Sequence, residues 1–369
     1  MALTNFAALT SEQKTAWSMD LWKHARNQSF VSQFLGKGPN SLIQHVTEVK
    51  KSEKGARAVM TLLADLEGDG VAGDRTLEGN EEAMKTYEQV IRVDQLRHAN
   101  RSKGRISDQK SIVEFRSNSR DVLAYWLADR IDQLAFLTLA GRSYAYTPKG
   151  VARVGSDLQN LEFAADVAAA SDLRRCRWDA STGLETTAAI GDVDAGDTPT
   201  WNMIMELKKY AKEQYIRGVK NGSQEIYHAF LCPQAMMLLK QSDDYKQNLR
   251  YAQTRGGGNE LFTGDSVLID GVMLHEFRHV PQWTSTTNDF GDSSDIAEGS
   301  HVLFCGAQAL GMADLGAPEW NEKEFDYGNQ LGISTGKILG FLKPQYVNQY
   351  SGSATAQDFG VLNCFVAHA

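Results

Sequence analysis

The spacing of apolar positions changes several times along the chain, and each change marks a change of structure. Over residues 11–35, Trp17, Leu21, Ala25, Phe30 and Phe34 fall near helical spacing. Thr10 or Ser11 supplies a cap, Glu12 lies in the first turn, and Gly36 and Gly38-Pro39 end the segment, so an amphipathic helix is expected. A segment so rich in Trp and Phe has to be covered, by its own body or by a neighbour. Period two takes over at Val59-Met60-Thr61-Leu62-Leu63 and again over 87–96, where Ile91-Arg92-Val93-Asp94 alternates. Between these strands runs LEGDGVAGDRTLEGNEEAM, residues 66–84, dense in Gly, Asp, Glu and Asn. Loops of that length are uncommon inside compact domains, and a long two-stranded loop projecting from the body is expected.

Residues 106–140 contain neither Gly nor Pro, and Gly141 is the natural stop. Ile112, Phe115, Val122 and Trp126 form one apolar line, and Leu123, Leu127, Ile131 and Leu134 a second beside it. Together they make a broad helical stripe. The helix would span roughly 50 Å at 1.5 Å per residue, with Ser117-Asn118-Ser119 as the place for a bend. Residues 144–199 read as irregular. A helix follows over 201–217, capped by Thr198 or Thr200. Then come a strand over 226–232, a short helix over 233–241, a Gly256-Gly257-Gly258 loop, alternation over 267–280, and strands at 302–304 and 360–365. Long helices and separated strands without a βαβ series define an α+β class.

Charge and composition narrow the function. A formal charge of −8 excludes a dedicated nucleic-acid binder, although not a local basic patch. Residues 1–10 show no basic-then-apolar leader, and the longest nearly apolar run, 134–140, is far too short to span a bilayer. Neither secretion nor a membrane partner is expected. Cys176, Cys232, Cys305 and Cys364 are scattered and read as buried reduced thiols rather than a disulfide framework or metal cage.

Four patterns invite a chemical reading. His275-Glu276-Phe277-Arg278-His279 matches the HExxH zinc signature, which needs a helix to bring both imidazoles to one metal. Here Asp270-Gly271 precedes it, Pro281 follows, and Val272, Leu274 and Val280 alternate as in a strand. That would set the two histidines about 13 Å apart. Asp65-Leu66-Glu67-Gly68-Asp69-Gly70 lacks the twelfth-position Glu of a calcium loop, since Thr76 stands there. The Gly256–Gly258 run lacks the Lys-Ser/Thr of a phosphate loop. Arg174, Arg175 and Arg177, and likewise Lys50, Lys51, Lys54 and Arg57, read as solvated basic faces, open to DNA or to acidic loops of a second copy. No catalytic residue, metal or cofactor is assigned, and the chain is read as a structural protein, not an enzyme.

Several stretches together resemble a known family. They are LEGDGVAGDRTLEGNEEAM with IRVDQLRHA, GGGNELFTGDSVLIDGVMLHEF, and HVLFCGAQALGMA with DYGNQLGISTGKILGF. The Trp-rich TAWSMDLWKHARNQSFVSQFLGK and the helical VLAYWLADRIDQLAFLTLAG fit the same pattern, so the likeness covers nearly the whole chain in order. The chain is similar to the major capsid proteins of tailed double-stranded DNA phages, in the short-tailed branch carrying a virion RNA polymerase. The resemblance implies the Hong Kong 97-type fold: an N-terminal arm over 1–44, an extended loop over 45–104, a spine helix and peripheral domain over 105–200, an axial domain over 201–300, and a return to the peripheral domain over 301–369. It implies self-assembly into pentamers and hexamers of an icosahedral head, built in the host bacterial cytoplasm. Portal, scaffolding and decoration proteins, and packaged DNA bound without sequence specificity, are the implied partners. Trp17, Trp22, Phe30 and Phe34 are expected to touch adjacent subunits at least in part. Glu67, Asp69, Asp74, Glu78, Glu81 and Glu82 are expected to meet Arg or Lys of another copy. An encapsulin-like shell and a zinc hydrolase are the alternatives.

Overall fold

The structure is a computed structural model and describes residues 11–46, 57–63, 69–83, 86–110, 114–252, 267–284, 297–347 and 355–368. The arm helix α1, Ser11–Gln28, stops earlier than its apolar spacing suggested and passes into a tight turn over Val31–Phe34. The stop has a cause in the long helix. The buried Asp132 carboxylate accepts from Ser29 Oγ at 2.7 Å, Phe30 N at 2.9 Å and Val31 N at 3.1 Å, drawing the backbone out of the helix. Short parallel strands follow, β1 (Leu35–Gly36) and β2 (Ile43–Val46). The loop hairpin is β3 (Arg57–Leu63) with β4 (Thr86–Arg92), antiparallel in the register Arg57↔Arg92 to Leu63↔Thr86. Strand β5, Asp94–Arg101, leads into α2, Arg105–Lys110, and the spine helix α3, Phe115–Ala140.

The break between α2 and α3 falls before Phe115, not at the serine triplet. Ser119 is buried inside α3, and Asn118 Nδ2 donates to Glu114 O at 2.8 Å. Gly141 ends the spine as its sequence suggested. It takes φ +67° while its N–H and that of Arg142 close onto Thr138 O and Leu137 O, and a Cβ there would lie 2.3 Å from Ala168 O.

The stretch read as irregular does hold a hairpin, β6 (Arg175–Asp179) with β7 (Gly183–Thr186). Helix α4, Trp201–Glu213, is capped by Thr200, whose Oγ accepts from Met203 N at 3.4 Å. Next come β8 (Val219–Asn221), β9 (Gln224–Leu231), α5 (Pro233–Gln241) and α6 (Asp243–Ala252). Strands β10 (Val267–Ile269) and β11 (Val272–Glu276) form a two-residue hairpin on Asp270-Gly271, both at positive φ. The rest are β12 (Gln282–Trp283), β13 (Gly299–Cys305), β14 (Leu310–Asp314), β15 (Glu319–Phe325), β16 (Gln330–Leu342), β17 (Gln345–Val347), β18 (Ala356–Asp358) and β19 (Val361–Ala367). The Gly256–Gly258 loop and the Lys50, Lys51, Lys54 cluster lie outside the described residues.

Among the described residues the strands form two large sheets. A nine-stranded sheet runs β10-β11-β9-β13-β19-β6-β7, with β8 on β9 and β12 on β13. A six-stranded sheet runs β1-β2-β14-β16-β15, with β5 along the other side of β16. Helix α3 touches β5 and β16 of one sheet and β13 of the other, and its buried side chains join both into one core. A second, smaller core packs Ala58, Met60 and Ile91 of the hairpin onto Val46, Val93, Ala313 and Leu342. The expected boundary at residue 300 falls within β13, while β19 returns to the nine-stranded sheet and β14 to β16 go to the other.

The arginine cluster is not a solvated face. Arg174 is fully buried, and its guanidinium donates to Asp358 O at 2.8 Å and Gln214 O at 3.1 Å. Burial holds its pKa down. Arg177 pairs with Glu185 at 2.9 Å and Asp179 at 3.2 Å. Arg175 is half-buried and pairs with Asp172 at 2.9 Å. The chain's own acceptors use these cations to tie the β6–β7 hairpin to its surroundings.

Candidate assembly interface

Two parts of the molecule were expected to need a neighbour, the aromatic arm and the acidic loop, and the structure treats them differently. The arm is seated on its own body. Trp17 stacks on Trp320 with ring centres 5.6 Å apart, and the Arg120 guanidinium lies 5.6 Å from the same ring. Trp22 carries the buried Lys337 ammonium 3.5 Å from its ring centre, and Lys337 also pairs with Asp314 at 3.1 Å. Leu21 and Ala25 are buried between these contacts, and Asp20 reaches Arg120 at 2.6 Å. Of the two ways to cover the arm, its own body supplies much of one, because the spine helix and β15–β16 together present a surface for it. Trp17, Trp22, Phe30 and Phe34 all stay half-buried.

Phe30 and Phe34 also connect the arm to the HExxH stretch. Phe30 stacks on Phe277 at 4.1 Å and 12°, and Phe34 meets His275 edge-on at 5.1 Å and His228 at 5.6 Å. Beneath them His228 Nδ1 and His275 Nε2 are 2.9 Å apart, with Phe136 of the spine and Phe230 of β9 closing the cluster. Desolvation lowers the pKa of both imidazoles, to about 4 for His275, where the neighbouring His228 adds to it. The strand reading of this stretch holds as far as Glu276. The chain then leaves the sheet, and His279 Nε2 meets Asp129 of the spine at 2.7 Å. The hydrogen bond from His279 lowers the Asp129 pKa. The two histidines of the zinc pattern thus serve different partners. Asp132, His228 and Phe136 were not singled out beforehand. The available signal was an aspartate inside an apolar helical stripe.

The loop tip is, by contrast, open to solvent. Residues 69–83 are exposed throughout except for half-buried Val71, including Asp69, Asp74, Glu78, Glu81 and Glu82. Its shape comes from local bonds, Gly79 N to Glu81 Oε2 at 2.7 Å and Asn80 Nδ2 to Thr76 O at 2.9 Å. Gly70, Gly73 and Gly79 take positive φ with open space where a Cβ would stand. Glu67 lies outside the described residues.

An arm, a projecting loop, a spine helix and two sheets in this order define a shell-forming subunit of the Hong Kong 97 type. The comparisons agree. A family model described as phage capsid protein matches residues 5–368. The major capsid protein of Pseudomonas phage KPP25 is 55% identical over 368 residues, 99% of this chain and 97% of that protein. The capsid of Ralstonia phage GP4 superposes with a TM-score of 0.75 at 24% identity, over 92% of this chain and 91% of that one. The cyanophage Pam1 capsid superposes with a TM-score of 0.69 at 17% identity, over 100% and 96%. The chain belongs to the phage capsid protein family, and its role is that of a major capsid protein, a structural component of the virion that associates with copies of itself to form the icosahedral head shell.

Proposed function

We propose that the subunit forms head-to-tail rings of five and six copies that close the head around double-stranded DNA, held without sequence specificity. Assembly takes place in the host bacterial cytoplasm, with scaffolding, portal and decoration proteins as partners, and with no cofactor and no membrane. One chain serves both ring sizes because a heterologous contact closes wherever its rotation divides a circle. Within the subunit, 1–44 act as arm, 45–104 as extended loop and 105–200 as spine helix and peripheral domain. The segment 201–300 forms the axial unit, to whose sheet β6–β7, the remainder of β13 and β19 also contribute, and the rest of 301–369 returns to the periphery.

The observation that carries this reading is the exposed, acidic loop tip at the end of a hairpin whose strands are packed on the body as far as Tyr87. An acidic, glycine-rich tip has little to gain by folding back on a chain of like net charge, and it fits a basic surface on a second copy. Asp69, Asp74, Glu78, Glu81 and Glu82, with Glu67 before them, are assigned to that contact. The outward parts of Trp17, Trp22, Phe30 and Phe34 are assigned to a second one. Expression with a scaffolding partner, followed by negative-stain electron microscopy, tests the proposal. Closed particles or regular rings are expected, and a persistent monomer under all assembly conditions would overturn it.

A further inference from the structure

We propose that Arg130 and Arg153, with Arg278 beside them, form a phosphodiester-binding site through which the head holds its packaged duplex. The inference rests on the reading of the chain as a head subunit that encloses DNA, and it adds the side chains that touch the DNA.

The site is built on the spine. Asp129, Arg130 and Gln133 lie within about one turn of α3, and two later segments come to meet them. Arg153 arrives from a turn closed by Thr147 N on Val151 O at 2.8 Å and by the bridge Tyr146↔Ala152. Arg278 and His279 arrive from the segment after β11. Gln133 is buried, and its Oε1 accepts from Arg130 Nη1 at 2.6 Å and from Arg153 Nη2 at 2.8 Å. Its Nε2 donates to Asp129 Oδ2 at 2.8 Å, and Arg130 Nη2 stands 3.9 Å from the same oxygen. The other Asp129 oxygen meets Arg278 Nη2 at 3.1 Å and His279 Nε2 at 2.7 Å.

Charge does not balance in this cluster. Among the described residues Asp129 is the one carboxylate paired with any of the three guanidiniums, because the group that gathers Arg130 and Arg153 is a neutral amide. The crowding is felt: burial first, and then the Arg130 charge, hold the Arg153 pKa below its usual value. Residues 141–156 add Arg142 and Lys149 and contain neither Asp nor Glu. On a chain of net charge −8 the spine thus carries a local cationic surface, with its arginines fixed in place before any ligand arrives.

The donors left over select the ligand. Each guanidinium has five N–H donors. Among the described residues Arg130 uses one of them in a hydrogen bond, and Arg153 uses two, the second from Nε to Tyr146 O at 3.0 Å. Both side chains are half-buried and Arg278 is exposed, so unused donors stay within reach of solvent. A planar fork of donors matches two oxygens of one phosphate, and contact with backbone phosphates reads no sequence. An enclosed duplex offers that chemistry along its whole length.

Fluorescence anisotropy of the full-length unassembled subunit with a short labelled duplex, over a range of salt, tests the site. Three contacted phosphates predict a slope of log affinity on log salt of about −2.7. Arg130→Gln, Arg153→Gln and Arg278→Gln should each make it shallower by about one, and Arg278→Lys should keep most of it. Arg278 is the most exposed of the three, so its loss tests the site without disturbing the fold. A slope unchanged in all three variants, or no binding by the parent chain, overturns the inference. So does polyglutamate binding as tightly as the duplex, which would assign the cluster to an acidic protein segment. Inorganic phosphate that binds where the duplex does not would leave a free-anion site in its place. In filled heads Arg278→Gln should release DNA at a lower temperature than the parent, and equal release temperatures count against the site. The two readings fail differently: no closed shells from the parent chain removes the head subunit, whereas normal shells with unaltered DNA binding in the variants remove only the arginine site.

Discussion

The arm and the loop tip both protrude on paper, but the folded chain encloses one and leaves the other in water. The arm carries large rings and a few well-placed polar groups, so burying it against the spine releases apolar surface from water, and Asp132 supplies acceptors for the backbone groups this strands. The tip carries carboxylates and glycines, whose burial would cost charge desolvation and backbone entropy with little apolar return. Composition alone separates a segment that a subunit can fold for itself from one that waits for an opposite charge.

Experiments can break this contrast or sharpen it. The largest effect is expected at Asp132. Asp132→Ala removes the acceptor of three donors and should cost about 3 kcal/mol. Denaturant unfolding of the unassembled subunit measures it, and early proteolysis near α1 should accompany it.

Nearly as large is the response to acid. His275 is held at about 4, below its ordinary value, so the unfolded chain takes up a proton before the folded one. That contribution to stability is complete above about pH 6.5 and is lost as pH falls towards 4, by up to about 3 kcal/mol. His228 and His368, also lowered by burial, act in the same direction. Unfolding midpoints at pH 7 and pH 4.5 should differ less in a His275→Phe variant, and an equal difference would remove the aromatic-roofed pair as a source of acid sensitivity.

Phe30→Ala, which deletes the stack on Phe277 at a half-buried site, should cost about 2 kcal/mol. Smallest is the effect of Asp74→Asn with Glu78→Gln on the isolated subunit, within about 0.5 kcal/mol. The same pair should nonetheless reduce shell formation seen by electron microscopy. A clear loss of subunit stability instead would show that the tip is anchored to its own body.

Much of this was legible beforehand wherever a local rule decides the outcome. Gly141 ended the spine, Thr200 capped α4, and Asp270-Gly271 with Pro281 marked a strand environment in place of a zinc helix. The hairpin strands followed from period two. What escaped depends on distant partners. Strands β15 and β16 were hidden because Glu, Lys and Asn dominate the one and glycines punctuate the other, and only their pairing makes sense of both. The β6–β7 hairpin was hidden because its arginines read as surface, whereas Asp358, Gln214 and Glu185 claim them. The arm was legible as a helix but not in its destination, since His228, His275 and Phe277, far along the chain, complete the seat of Phe30 and Phe34.

Strand β19 has a consequence in time. It lies between β13 and β6, and among the described residues the β6–β7 hairpin joins its sheet through β19. On a ribosome, β6 and β7 emerge long before the strand that receives them, an interval on the order of ten seconds at typical synthesis rates. For that interval a nascent chain carries an unfinished sheet. Completion of the nine-stranded sheet, and with it of the subunit, therefore waits for β19.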